Sequence, residues 1–133
     1  SRGLGDVYKR QTKYVKHGRV PPELDCWGLV RLARVELFGR EPLPYYSQID
    51  PQDKRALTEK TLAVRDINLF KRTEVKAGAI ATAWRGRLCV HVGIVVECDG
   101  RLWILETDEG TGPALTRPQI FESRYLQVIY YDN

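Results

Sequence analysis

The sequence predicts an α+β domain, with N-terminal helices packed on one face of an antiparallel sheet built from the C-terminal half. Helically spaced apolar residues come first, in two stretches before Ile67. After Lys76 the chain turns to runs of β-forming residues, and Asp99-Gly100 between two of them is a two-residue hairpin signal. Helices followed by hairpin-linked strands define this class.

The first helix is predicted over residues 26 to 38. Cys26, Leu29, Val30, Ala33 and Leu37 follow helical spacing, Asp25 is the N-cap, Gly39 the C-terminal cap, and Pro42 blocks continuation. The Pro21-Pro22 pair stiffens the approach. A second helix starts from Asp50 as cap with Pro51 at its first position and Asp53 in its first turn, carries Leu57, Thr61 and Val64 on one side, and ends near Ile67. The Glu41 to Ile49 segment between them, with two prolines and two tyrosines, is an irregular connection. Strands are predicted over Ala79 to Trp84, Leu88 to Glu97, Arg101 to Thr107 and Leu126 to Tyr131, with Arg85-Gly86-Arg87 as the first turn of a meander.

The 133 residues suit one domain able to bury roughly two-thirds of its unfolded surface. Hydrophobic content of 43% and charged content of 29% are ordinary for a globular chain. Ser1 to Gln11 has two glycines and no usable period. It reads as a disordered or non-native lead-in similar to translated adapter sequence, and residues 12 to 133 carry the functional argument. The net charge of +4 is spread along the chain, which argues against a nucleic-acid partner. No apolar run approaches the ~20 residues of a bilayer span, so no membrane insertion is expected, and no signal peptide is visible. Three cysteines cannot all pair with one another, and none has the short spacing of a zinc or redox site. With two histidines besides, no metal and no cofactor is expected.

Cys26 falls at a predicted helix N-terminus, where unpaired N–H groups and the helix dipole favour a thiolate; the competing reading is a cysteine that simply packs. In the run from Leu88 to Val96, alternation puts Val90, Val92, Ile94 and Val96 on one face and Cys89, His91 and Gly93 on the other. His91 then faces a gap that the Cys26 helix could fill, with Gly93 allowing a close approach; otherwise it satisfies a local hydrogen bond. A cysteine nucleophile needs a base, and the base an orienting group. Glu106, polar amid the alternation of Leu102 and Ile104, is the candidate for that third group, unless it merely opens the polar loop Asp108 to Gly112. Cys89 shares the expected face of His91 but lacks helix-terminus activation. Trp27, Trp84 and Trp103 could meet substrate or pack in the core.

Asp25-Cys26-Trp27-Gly28-Leu29-Val30-Arg31 resembles the nucleophile motif of NlpC-family cysteine peptidases, particularly the subset in tailed-phage tail tips. Tyr14, Gly18, Arg19 and Pro21 match the family's Tyr-x-x-Gly-Gly-Arg-x-Pro approach, with His17 in place of its first glycine. Glu36-Leu37-Phe38-Gly39 and Leu43-Pro44-Tyr45 resemble the close of the cysteine helix and its exit. Val75 to Ile80 is similar to a strand opening that the family writes with Gly-Asp, here Gly78-Ala79, and His91-Val92-Gly93-Ile94 resembles its histidine motif. The third polar position, commonly His, Asn or Gln, is Glu106.

The resemblance spans Tyr14 to the C-terminus and implies a papain-like fold with Cys26, His91 and Glu106 as catalytic residues. It implies substrate contacts from Tyr14, and Asp25 and Trp27 beside the cysteine are expected to join them. The implied activity is hydrolysis of γ-D-glutamyl to diamino-acid amide bonds in peptidoglycan stem peptides. The implied setting is a phage virion tail, with other tail proteins as partners, or the bacterial periplasm and cell wall. An acyltransferase or amidase using the same Cys-His core, and a catalytically inactive tail-tip subunit, are the alternatives.

Overall fold

The computed structural model of the protein describes residues 2–44 and 53–133. Its elements run α1 (Arg2–Gln11), β1 (Lys13–Tyr14), β2 (Arg19–Val20), β3 (Glu23–Leu24), α2 (Cys26–Phe38), α3 (Lys54–Ile67), β4 (Lys71–Thr73), β5 (Ile80–Arg85), β6 (Leu88–Cys98), β7 (Arg101–Asp108), β8 (Gly112–Thr116), α4 (Pro118–Ser123) and β9 (Gln127–Asp132). The class is α+β, with one six-stranded sheet whose pairings are all antiparallel.

Helix α2 occupies the predicted residues because its end signals are local. The Asp25 carboxylate accepts from the Gly28 N–H at 2.8 Å, and Gly39 closes the helix at φ 61°. Helix α3 ends at Ile67 as expected, but its described cap is Asp53, which accepts from the Ala56 N–H at 3.2 Å. The expected start at Asp50-Pro51 lies outside the described residues. Asp99 and Gly100, at φ 55° and 73°, make the two-residue turn between β6 and β7.

Within the lead-in expected to be disordered or non-native, Arg2–Gln11 is helical. Ten residues with two glycines are marginal as an isolated helix, so tertiary docking carries it. Tyr8 is buried in the main core and its hydroxyl donates to Glu36 Oε1 at 3.2 Å.

The sheet order is β4-β9-β5-β6-β7-β8. Strands β5, β6 and β7 form the expected meander and β8, not expected from the sequence, extends it, whereas β9 returns to pair with β5 and β4 on the far side. Successive residues of a strand point to opposite faces. One face, with Ile80, Trp84, Val92, Ile94, Val96 and Leu105, packs on Leu29, Val30 and Ala33 of α2 and Val64 of α3. The other, with Ala79, Ala81, Ala83, Val95 and Ile104, packs on Phe121 of α4. The expectation of helices on one face therefore fails for α4, a six-residue helix too short for its period to be read. A second small sheet, order β1-β3-β2, leads the chain into α2.

Candidate active site

The site starts at the N-terminus of α2. Asp25 caps the helix through one carboxylate oxygen and meets Arg19 Nη1 with the other at 2.5 Å, both side chains buried. The Asp25 N–H donates to Gly18 O at 3.1 Å. A Cβ on Gly28 would lie 2.1 Å from that same carbonyl, so only glycine lets the entering strand approach the first turn this closely. Cys26 is held between these contacts and is 3% exposed. Tyr14 pairs with Leu24 across the parallel β1/β3 pair, two residues ahead of Cys26.

His91 comes from β6 and Glu106 from β7, both buried. The His91 Nε2 lies 2.9 Å from Glu106 Oε1. A ring nitrogen against a carboxylate carries the proton, which makes Nδ1 the nitrogen available to accept one from Cys26. Burial disfavours the charged ring. Hydrogen bonds to Cys26 and Glu106, with the charges of Cys26 and Asp108, outweigh it and bring the His91 pKa up to about 9. Asp108 Oδ2 stands 3.9 Å from Nδ1. Phe121 and Tyr125 flank the ring, with centroids at 5.9 and 6.4 Å.

Glu106 does not open a polar loop. It lies inside β7, opposite Ala114 of β8. Its carboxylate accepts from Thr116 Oγ1 at 2.5 Å and from Arg124 Nη2 at 2.7 Å to each oxygen. Burial alone would raise its pKa; the bonds from His91, Thr116 and Arg124 hold it below the usual carboxylate range. Thr116 and Arg124 carried no signal in the sequence, because neither stands in a motif and both reach Glu106 only through β8 and α4.

Two residues expected as substrate contacts near the cysteine are buried. Asp25 is 0% exposed and spends both oxygens on the cap and Arg19, so it holds the site from within. Trp27 packs in the main core and its indole N–H donates to Pro44 O at 2.8 Å. Trp84 is also a core residue, bonded to Thr82 Oγ1 at 2.9 Å.

The strand carrying His91 departs from simple alternation. Ala83 pairs with His91 and Trp84 with Cys89, leaving Val90 as a β-bulge. Cys89 therefore joins the α2 face with Val92, Ile94 and Val96, and Val90 packs on the α4 face, the reverse of the expected assignment. The flank of α2 does not cover His91, and the helix meets the ring through Cys26, its first residue. Gly93 makes room for β7 instead of α2: a Cβ there would lie 2.7 Å from Ile104 Cγ2 and 3.5 Å from Glu106 Cβ.

All three cysteines are free thiols. Burial pushes the Cys89 thiol pKa up. Among the described residues no group of three or more His, Cys, Asp or Glu is placed to hold a metal ion, and no helix is long and apolar enough to cross a membrane. No family model, curated protein or solved structure matches the chain.

Proposed function

We propose that the protein is a cysteine peptidase of the NlpC type, with a papain-like arrangement, that hydrolyses γ-D-glutamyl to diamino-acid amide bonds in peptidoglycan stem peptides. The observation that carries the reading is the buried His91–Glu106 hydrogen bond at 2.9 Å, with Cys26 at the start of α2 close enough to the ring to raise its pKa. A structural histidine needs only one of these partners. A buried imidazole joined to both a thiol and a carboxylate is the arrangement a sulfur nucleophile requires.

In the proposed reaction the Cys26 proton passes to His91 Nδ1, and Glu106 steadies the imidazolium. The sulfur attacks the amide carbonyl, and the developing oxyanion is met by the Cys26 N–H at the positive end of α2. His91 returns the proton to the leaving amine as the C–N bond breaks, giving a thioester and a free amino group. Water, deprotonated by His91, then attacks the thioester, releasing the carboxylate and restoring the thiol. Tyr14, beside the entry to Cys26, is the substrate contact that remains from the resemblance.

His17 supports the family reading from a different side. It stands where the family writes glycine, and its φ is 67°, in the left-handed region that glycine favours. The setting is proposed to be a phage tail, beside other tail proteins, or the bacterial cell wall.

The test is digestion of purified peptidoglycan by wild type and Cys26→Ala, with products identified by mass. Wild type should release free γ-D-glutamyl carboxylate and diamino-acid amine, and Cys26→Ala should lose activity by a factor of about a thousand or more. Equal rates would eliminate the enzyme. Transfer of the acyl group to added amine in preference to water would make it an acyltransferase.

A further inference from the structure

We propose that Arg124 is a positioning residue of this site: its guanidinium fixes both oxygens of Glu106, so that one of them meets His91 Nε2 and the other ring nitrogen is turned to Cys26. The inference rests on the peptidase reading and adds a group that the resemblance does not supply.

Arg124 is the residue on which α4 ends, and its Nη2 lies 2.7 Å from Oε1 and 2.7 Å from Oε2 of Glu106. Its guanidinium carbon stacks 5.1 Å from the Phe121 ring centroid and 5.5 Å from that of Tyr125, the same two rings that flank His91. Phe121 is completely buried, which anchors α4 and so the end that carries Arg124. Where the family places His, Asn or Gln, a neutral group needs no counter-charge. A buried carboxylate does, since an unpaired one would take up a proton and could rotate its charge away from the ring. Arg124 and Thr116 together meet that need.

The groups facing Glu106 are His91 from β6, Thr116 from β8, Arg124 and Tyr125 from the end of α4, and Asp108 on its own strand. Of these Arg124 is the fixed cation. Without it Glu106 protonates at higher pH, and His91 loses the anion that orients it.

The experiment compares wild type, Arg124→Met and Arg124→Lys by two pH profiles. One is kcat/KM on a γ-D-glutamyl-diamino-acid stem peptide; the other is the rate of Cys26 alkylation by iodoacetamide, which needs no substrate. Arg124→Met should move the acid limb of both profiles up by about one pH unit or more, a roughly tenfold loss on that limb. Arg124→Lys should fall between, since it keeps the charge but loses the planar group that stacks on Phe121 and Tyr125 and so holds the contact in place. Superimposed profiles for wild type and Arg124→Met overturn the inference while leaving the peptidase intact. No turnover by wild type, with Cys26 alkylated like an ordinary thiol, overturns the peptidase and this role with it. Should Arg124→Met prove unfolded by its melting curve, Arg124→Lys decides alone: a displaced acid limb supports the role, and superposition overturns it.

Discussion

His91 is the residue on which electrostatics and stability meet. Its pKa rises from 6.5 to about 9 on folding, because the bonds to Cys26 and Glu106 outweigh burial. A raised pKa stabilises the fold fully below the unfolded value and loses that contribution as pH climbs through the folded one. Wild type should therefore lose stability relative to His91→Gln between pH 6.5 and 9, at up to about 1.4 kcal/mol per pH unit. Denaturant titrations of both proteins across that range check it; a constant difference would mean that the ring is not held charged. Glu106 has the opposite sign. Its lowered pKa contributes stability above the unfolded carboxylate value and loses it as pH falls through the folded one. At this scale Cys26, His91 and Glu106 were legible in the sequence through motif and alternation. Arg124 was not, because an arginine after a short polar turn looks like any solvated cation until α4 is seen to fold back over the sheet.

At the scale of elements, legibility followed how local the signals are. Helix α2 was readable to the residue because Asp25, Gly39 and Pro42 act within a turn of its ends. Strands β5, β6, β7 and β9 were readable within a residue at each end, from long runs of β-formers. Strand β8 and helix α4 were missed because each is short and β8 opens on Gly112-Pro113, so that each is stabilised by Glu106 and Phe121 more than by its own pattern. The bulge at Val90 was invisible for a different reason. Nothing in Cys89-Val90-His91 departs from ordinary strand composition, yet one extra residue reverses which of Cys89 and Val90 faces α2. Gly93 shows what that local geometry demands. Gly93→Ala would put a methyl 2.7 Å from Ile104 Cγ2 and 3.2 Å from Leu105 O, pushing β7 and Glu106 away from His91. We predict a loss of about 1–3 kcal/mol in stability by denaturant titration. An unchanged midpoint would show that β6 and β7 are not held this close.

At the scale of the whole molecule, the fold joins distant stretches of chain so that the first residue of α2 is fixed against the middle of the sheet. Buried Arg34 of α2 reaches Gly78 O at 3.0 Å and Asp132 Oδ1 at 3.1 Å, tying the helix to the start of β5 and the end of β9. Tyr8 of α1 bonds Glu36 on the same helix, and the β1-β3-β2 sheet fixes its start. The site therefore sits at the meeting of a helix end and two strands, with α4 closing the opposite face. The central claim is that this architecture makes one of three buried thiols reactive. Native protein treated with iodoacetamide at pH 7, with each cysteine quantified by peptide mass spectrometry, tests it most directly. Cys26 should be modified at least about tenfold faster than Cys89 and Cys98, and His91→Ala should erase that difference. Equal rates at the three positions, or a Cys26 rate untouched by His91→Ala, would contradict the account.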